Sequence, residues 1–72
     1  MCGIVGFTGR REASPILLEG LRRLEYRGYD SAGLVTGTGN ELHLRKKAGR
    51  LAELGRFVGD HPAPGCYGVS HT

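Results

Sequence analysis

The chain has 72 residues, 39% of them hydrophobic and 24% charged, and its 10 lysines and arginines outweigh 7 acids for a formal charge of +3. That size makes one small domain, which buries only about 60% of the surface its unfolded form exposes, so any core is thin. The basic residues are interleaved with acids and form no aromatic-studded face, which argues against a nucleic-acid partner. The longest apolar runs, Ile4-Val5 and Ile16-Leu17-Leu18, fall far short of the roughly 20 residues of a bilayer span. No basic-then-apolar leader precedes Cys2. Cys2 and Cys66 have neither zinc-motif spacing nor the makings of a disulfide framework. The expectation is a cytoplasmic protein with no membrane partner and no metal.

Thirteen glycines, about twice the average usage, imply many turns. Cys2 to Phe7 is short, apolar and followed by Gly9, which predicts a buried strand. Thr8-Gly9-Arg10-Arg11 then turns the chain. Ser14-Pro15 reads as a helix start, with the serine oxygen accepting from an orphan N–H as N-cap and proline at the first helical position. Leu17, Leu18, Leu21 and Leu24 keep helical spacing, while Glu19, Arg22, Arg23 and Glu25 take the other side. Gly20 costs this helix about 1 kcal/mol relative to alanine, a hint of close approach by another backbone. Gly28 is placed to end it in the left-handed conformation.

Ala32 to Thr36 predicts a second strand, Gly37-Thr38-Gly39-Asn40 a hairpin turn, and Glu41 to Arg45, with Leu42 and Leu44 alternating, a half-buried third strand. Leu51, Leu54, Phe57 and Val58 make Arg50 to Val58 a short amphipathic helix, stopped by Gly59 and the Pro62, Pro64, Gly65 cluster. Cys66 to Val69 begins a last strand that runs into Ser70-His71-Thr72. Two helices with mostly antiparallel strands predict an α+β fold, and no break in composition marks a second domain.

Two stretches bear on chemistry. Removal of Met1 from before the small Cys2 side chain would leave a thiol and a free α-amine within one residue. With reference pKa values of about 8.5 and about 7.7 to 8.0, the amine is a built-in base. Gly3 has no Cβ to obstruct a substrate. The same cysteine is equally a small hydrophobe at a strand end. LEYRGYDSAG, Leu24 to Gly33, sets Arg27 and Asp30 in a loop: Arg27 could fix an anion or brace the cysteine's backbone, with Asp30 bracing Arg27, and an ordinary capped turn explains the stretch as well. Elsewhere the plain readings lead. His43, His61 and His71 match no ligand spacing. Thr36-Gly37-Thr38-Gly39 lacks the third glycine and helix of a phosphate loop. Arg45-Lys46-Lys47 is a solvated strand end, and Cys66 is a packing residue.

MCGIVG followed in order by LLEGLRRLEYRGYDSAG closely resembles the start of the class II glutamine amidotransferases, in the version carried by the aminotransferases that act on fructose 6-phosphate. Glu25-Tyr26 and Tyr29 are similar to that branch, while amidophosphoribosyltransferases share the cysteine and an Arg-Gly-x-Asp-Ser-x-Gly loop. The resemblance resumes at Gly68-Val69-Ser70-His71-Thr72, which the family continues as Arg-Trp-Ala-Thr-His-Gly. From Thr36 to Gly65 it extends only to the order of strand, hairpin, strand and helix.

The resemblance implies an N-terminal nucleophile hydrolase domain, a four-layer αββα sandwich that hydrolyses L-glutamine to glutamate and ammonia without a cofactor. The complete enzyme, a homodimer, would pass the ammonia to fructose 6-phosphate to make glucosamine 6-phosphate. By position, Cys2 would be the nucleophile forming a glutamyl thioester, with its own α-amino group as base once Met1 is removed. Arg27 would be a supporting residue near it, and Thr72 a substrate-binding or supporting residue at the pocket edge. The family's carboxylate-gripping arginine, Asn-Gly oxyanion hole, amine-binding aspartate and isomerase part fall outside these residues. Loss of one oxyanion donor typically costs about 100-fold to 1000-fold in rate. Residues 1–72 are therefore expected to be the N-terminal fragment of a type 2 glutamine amidotransferase domain, a partial sandwich inactive alone. Another class II amidotransferase, such as amidophosphoribosyltransferase, and a non-enzymatic small basic binding module remain as alternatives.

Overall fold

The computed structural model describes residues 3–24 and 31–72. In chain order these form β1 (Ile4–Thr8), α1 (Ala13–Leu24), β2 (Ser31–Thr38), β3 (Glu41–Ala48), α2 (Leu51–Asp60) and β4 (Tyr67–His71). The fold is α+β, with a single antiparallel sheet of order β1-β4-β2-β3 and both helices on one face. The last strand is thus inserted between the first two: Val69 of β4 pairs with Gly6 of β1 on one side and Val35 of β2 on the other.

The helix face holds the core. Leu17 and Leu21 of α1, Leu34 of β2 and Leu54 of α2 are fully buried, and Ala13, Ala32, Leu51, Val58 and Ala63 fill between them. Each buried leucine contributes about 1.5 to 3 kcal/mol of transfer free energy. Among the described residues two polar side chains are buried on this face, both paired: Thr36 donates to the Pro64 carbonyl at 2.7 Å and Ser70 to the Leu17 carbonyl at 3.2 Å.

Several boundaries differ from expectation for identifiable reasons. Helix α1 begins at Ala13, so Ser14 and Pro15 lie inside its first turn and Ser14 is not the cap. The Ala13 N–H is satisfied instead by the Gly65 carbonyl at 2.8 Å, and the Gly65 N–H returns to the Glu12 carboxylate at 3.2 Å. Gly20 does make room for a close neighbour, but that neighbour is a side chain: a Cβ there would stand 2.8 Å from Val5 Cγ1. The expected cap Gly28 and the side chain of Glu25 lie outside the described residues.

Strand β2 runs to Thr38, leaving Gly39-Asn40 as a two-residue turn, and Gly39 takes φ 51° at the first turn position, where type II′ hairpins place glycine. Helix α2 passes through Gly59 to Asp60; it closes where the His61 N–H bonds to the Phe57 carbonyl at 2.8 Å, with Pro62 next. The alternation of β3 is real, but its polarity is inverted. Leu42 and Leu44 are exposed on the face away from the helices, while His43, Arg45 and Lys47 take the helix side. The basic run is correspondingly split. Lys46 and Lys47 are solvated, whereas Arg45 donates to the His61 and Pro62 carbonyls, each at 2.7 Å, and holds the end of α2 against β3. Cys66 is exposed and precedes β4, so it is not a packing residue.

Candidate functional site

Register brings the sequence's distinctive stretches to one end of the sheet. His71 of β4 pairs with Ile4 of β1 and with Gly33 of β2, so Ile4, His71 and Gly33 form one row across three strands. From this end β1 and β2 set out and β4 finishes. The residues that flank it in sequence are Cys2 on one side and the stretch containing Arg27 on another. Cys2, Arg27, Tyr29 and Asp30 themselves lie outside the described residues.

One step beyond the row, Gly3 and Thr72 form a reciprocal pair. The Thr72 N–H donates to the Gly3 carbonyl at 3.0 Å, and the Gly3 N–H donates to Thr72 Oγ1 at 3.0 Å. Leu24, the last residue of α1, closes the other side: a Cβ on Gly3 would stand 2.7 Å from Leu24 Cδ1. The space left by the absent side chain is therefore taken by Leu24. Its place there was not visible in a pattern that marks Leu24 only as the last apolar position of a helix.

On the open face the side chains of β4 lie over β2. His71 Nε2 is 3.3 Å from where a Gly33 Cβ would stand, and the Tyr67 ring occupies the place of a Gly37 Cβ. Between them Val69 is paired with Val35. At the end of the sheet away from Gly3, Val35, Leu42, Tyr67 and Val69 line an apolar depression of about 380 Å³. The other histidines are engaged locally, His43 with the Thr38 hydroxyl at 2.8 Å and His61 against Phe57, with ring centres 4.7 Å apart and the planes tilted by 37°. None of the helices among the described residues is long and apolar enough to cross a membrane.

No family model matches the chain. Over all 72 residues it matches the N-terminal region of proteins named glutamine–fructose-6-phosphate aminotransferase [isomerizing]. It is 53% identical to that of Thermus thermophilus, 51% to that of Thermococcus kodakarensis and 49% to that of Clostridium perfringens. The alignments cover 100% of this chain and 12% of each relative.

Proposed function

We infer that these residues are the N-terminal part of a glutamine–fructose-6-phosphate aminotransferase, and that they carry the nucleophile of its glutamine-hydrolysing site. The observation that carries this reading is the row of Ile4, His71 and Gly33. The three stretches that resemble the family, far apart in sequence, share one end of the sheet. The match over the whole chain at about half identity supports the same assignment.

In the proposed reaction the Cys2 thiol loses its proton to the α-amine freed by removal of Met1. The thiolate then attacks the side-chain amide carbon of glutamine and a C–S bond forms; the α-ammonium returns its proton to the amide nitrogen, and the C–N bond breaks to release ammonia. Water hydrolyses the thioester to glutamate and regenerates the thiol. Arg27 supports the nucleophile electrostatically. The ammonia passes to fructose 6-phosphate elsewhere in the complete enzyme. Oxyanion stabilisation and the grip on the substrate carboxylate come from later residues, so the 72 residues by themselves turn over no glutamine.

A second antiparallel sheet, drawn from later parts of the enzyme, stacks on the open face at about 10 Å to complete an αββα sandwich. Support for this comes from Ile4, Leu42 and Leu44, which are 78%, 72% and 63% exposed there. A sheet with apolar side chains on both faces is built to be covered on both.

The test is made on the complete enzyme. Cys2→Ala should lower glutamine hydrolysis by at least about 1000-fold. Mass spectrometry should find Met1 absent and Cys2 labelled by the glutamine-mimicking electrophile diazo-oxo-norleucine. Retained Met1, or no label on Cys2, would sink the reading. Formation of glucosamine 6-phosphate, and not phosphoribosylamine, identifies the acceptor.

A further inference from the structure

We propose that Thr72 is a positioning residue for the nucleophile, its hydroxyl oxygen holding the Gly3 amide one peptide bond from Cys2. The proposal rests on the reading of Cys2 given above. It concerns a role that the resemblance leaves open, since Thr72 could bind substrate or support the site.

The geometry favours the supporting role. Opposed residues in an antiparallel ladder either exchange both backbone N–H···O bonds or exchange neither. Beyond the Ile4 and His71 pair, Gly3 and Thr72 make a hybrid. Thr72 donates its N–H to the Gly3 carbonyl in the ordinary way, but the Gly3 N–H goes to Thr72 Oγ1, both at 3.0 Å. The side chain stands in for a carbonyl. The ladder thus gains one more closed pair at its end.

Gly3 is held from a second direction as well. Leu24 Cδ1 would lie 2.7 Å from a Cβ at this position, so the glycine fits between the end of α1 and the end of β4. The amide that Thr72 grips belongs to the planar peptide unit joining Cys2 to Gly3. Fixing that plane removes the freedom nearest the nucleophile, and misplacement of a reacting group by about 1 Å costs about 100-fold in rate. One of the two acceptor lone pairs of the Thr72 hydroxyl is committed to the Gly3 amide, which ties the side chain to the strand end. Serine retains the oxygen, whereas valine retains the shape and loses it.

The experiment compares Cys2→Ala, Thr72→Ser, Thr72→Val, Thr72→Ala, Gly3→Ala and the double variant Gly3→Ala/Leu24→Ala in the complete enzyme. Glutaminase kcat, the KM for glutamine, the rate of Cys2 alkylation by iodoacetamide and the melting temperature are measured for each. Thr72→Val should lower kcat about tenfold, the rate equivalent of one lost hydrogen bond, and slow alkylation similarly, with KM changed less than about twofold. Thr72→Ser should stay within about twofold of the parent in kcat. Gly3→Ala should reproduce the loss in kcat by pressing on Leu24, and truncating Leu24 should recover most of it. Thr72→Ala, which removes the hydroxyl without adding a methyl, decides the matter should Thr72→Val fail to fold: it should show the same loss in kcat and in alkylation rate with KM unchanged.

A raised KM with unchanged kcat in Thr72→Val would assign the hydroxyl to substrate binding and overturn the proposal. So would a lower melting temperature with unchanged kcat. Full activity in Cys2→Ala overturns the reading of Cys2 itself. An inactive Cys2→Ala beside a fully active Thr72→Val overturns only the role of Thr72.

Discussion

The two faces of the sheet are made of similar residues and meet different surroundings. Toward the helices, Leu17, Leu21, Leu34 and Leu54 are sealed, and both polar side chains buried with them have partners. Away from the helices lie Ile4, Leu42 and Leu44, with Val69 48% and Tyr67 45% exposed. A scattered exposed leucine is ordinary, but a contiguous apolar face marks a surface made to be covered. On the proposed reading the difference makes the sheet an inner layer. One face is completed by this stretch of chain, and the other is left for the second sheet of the proposed sandwich.

The comparison can be broken first at its stronger side. Leu17→Ala removes a fully buried side chain from the contact between α1 and the sheet. It should destabilise the complete protein by about 3 kcal/mol, read as the shift of its denaturation midpoint. A shift below about 1 kcal/mol would mean that the helix face is not the tight core described here. Leu44→Lys then tests the open face. On a surface facing water the substitution is worth within about 0.5 kcal/mol either way. Beneath a second sheet it loses leucine burial and strands a charge, and the expected cost is about 2 kcal/mol or more. A neutral result would leave the face uncovered and remove the main support for the αββα arrangement.

What could be read in the sequence was local. The leucine periodicity marked α1 and α2, the glycine-rich turn marked the β2–β3 hairpin, and alternation marked β3 as a strand. Each of these depends on neighbours within a few residues. Alternation reports that a strand has two faces without saying which face the helices take, so Leu42 and Leu44 were expected inside and lie outside. Ser14 reads as a cap because the contact at the real helix start, from the Ala13 N–H to the Gly65 carbonyl, is supplied by a segment from the far half of the chain. Sheet order was equally out of reach, because inserting β4 between β1 and β2 depends on long-range pairing. For the candidate site, resemblance singled out Cys2, Arg27 and Thr72. Only the pairing of β1 with β4 puts Thr72 on Gly3, and a one-residue slip would have sent every side chain to the opposite face.

The smallest expected effect concerns the seam between α1, α2 and the sheet, where the segment from His61 to Cys66 is held almost carbonyl by carbonyl. Arg45 takes His61 and Pro62, Thr36 takes Pro64, the Ala13 N–H takes Gly65 and the Gly9 N–H takes Cys66. Gly65, at φ 128°, rests so close to Gly37 that a Cβ would collide with its carbonyl oxygen. A proline-rich stretch that reads only as a helix stop therefore forms one wall of the core through the buried Ala63. Thr36→Val keeps the shape and β-branching of the side chain and adds apolar surface on a face that is already dry. It also strips the Pro64 carbonyl of its donor. The lost bond should win by a small margin, because a hydrogen bond to the carbonyl of the exposed Pro64 is worth about 0.5 to 1.5 kcal/mol while one added methyl recovers less than about 1 kcal/mol. The expected net loss is about 0.5 kcal/mol in the denaturation midpoint, together with faster hydrogen exchange at the Ala13 amide as Gly65 loosens. A stabilised Thr36→Val protein with unchanged exchange at Ala13 would show that the helix face is held by apolar contact alone.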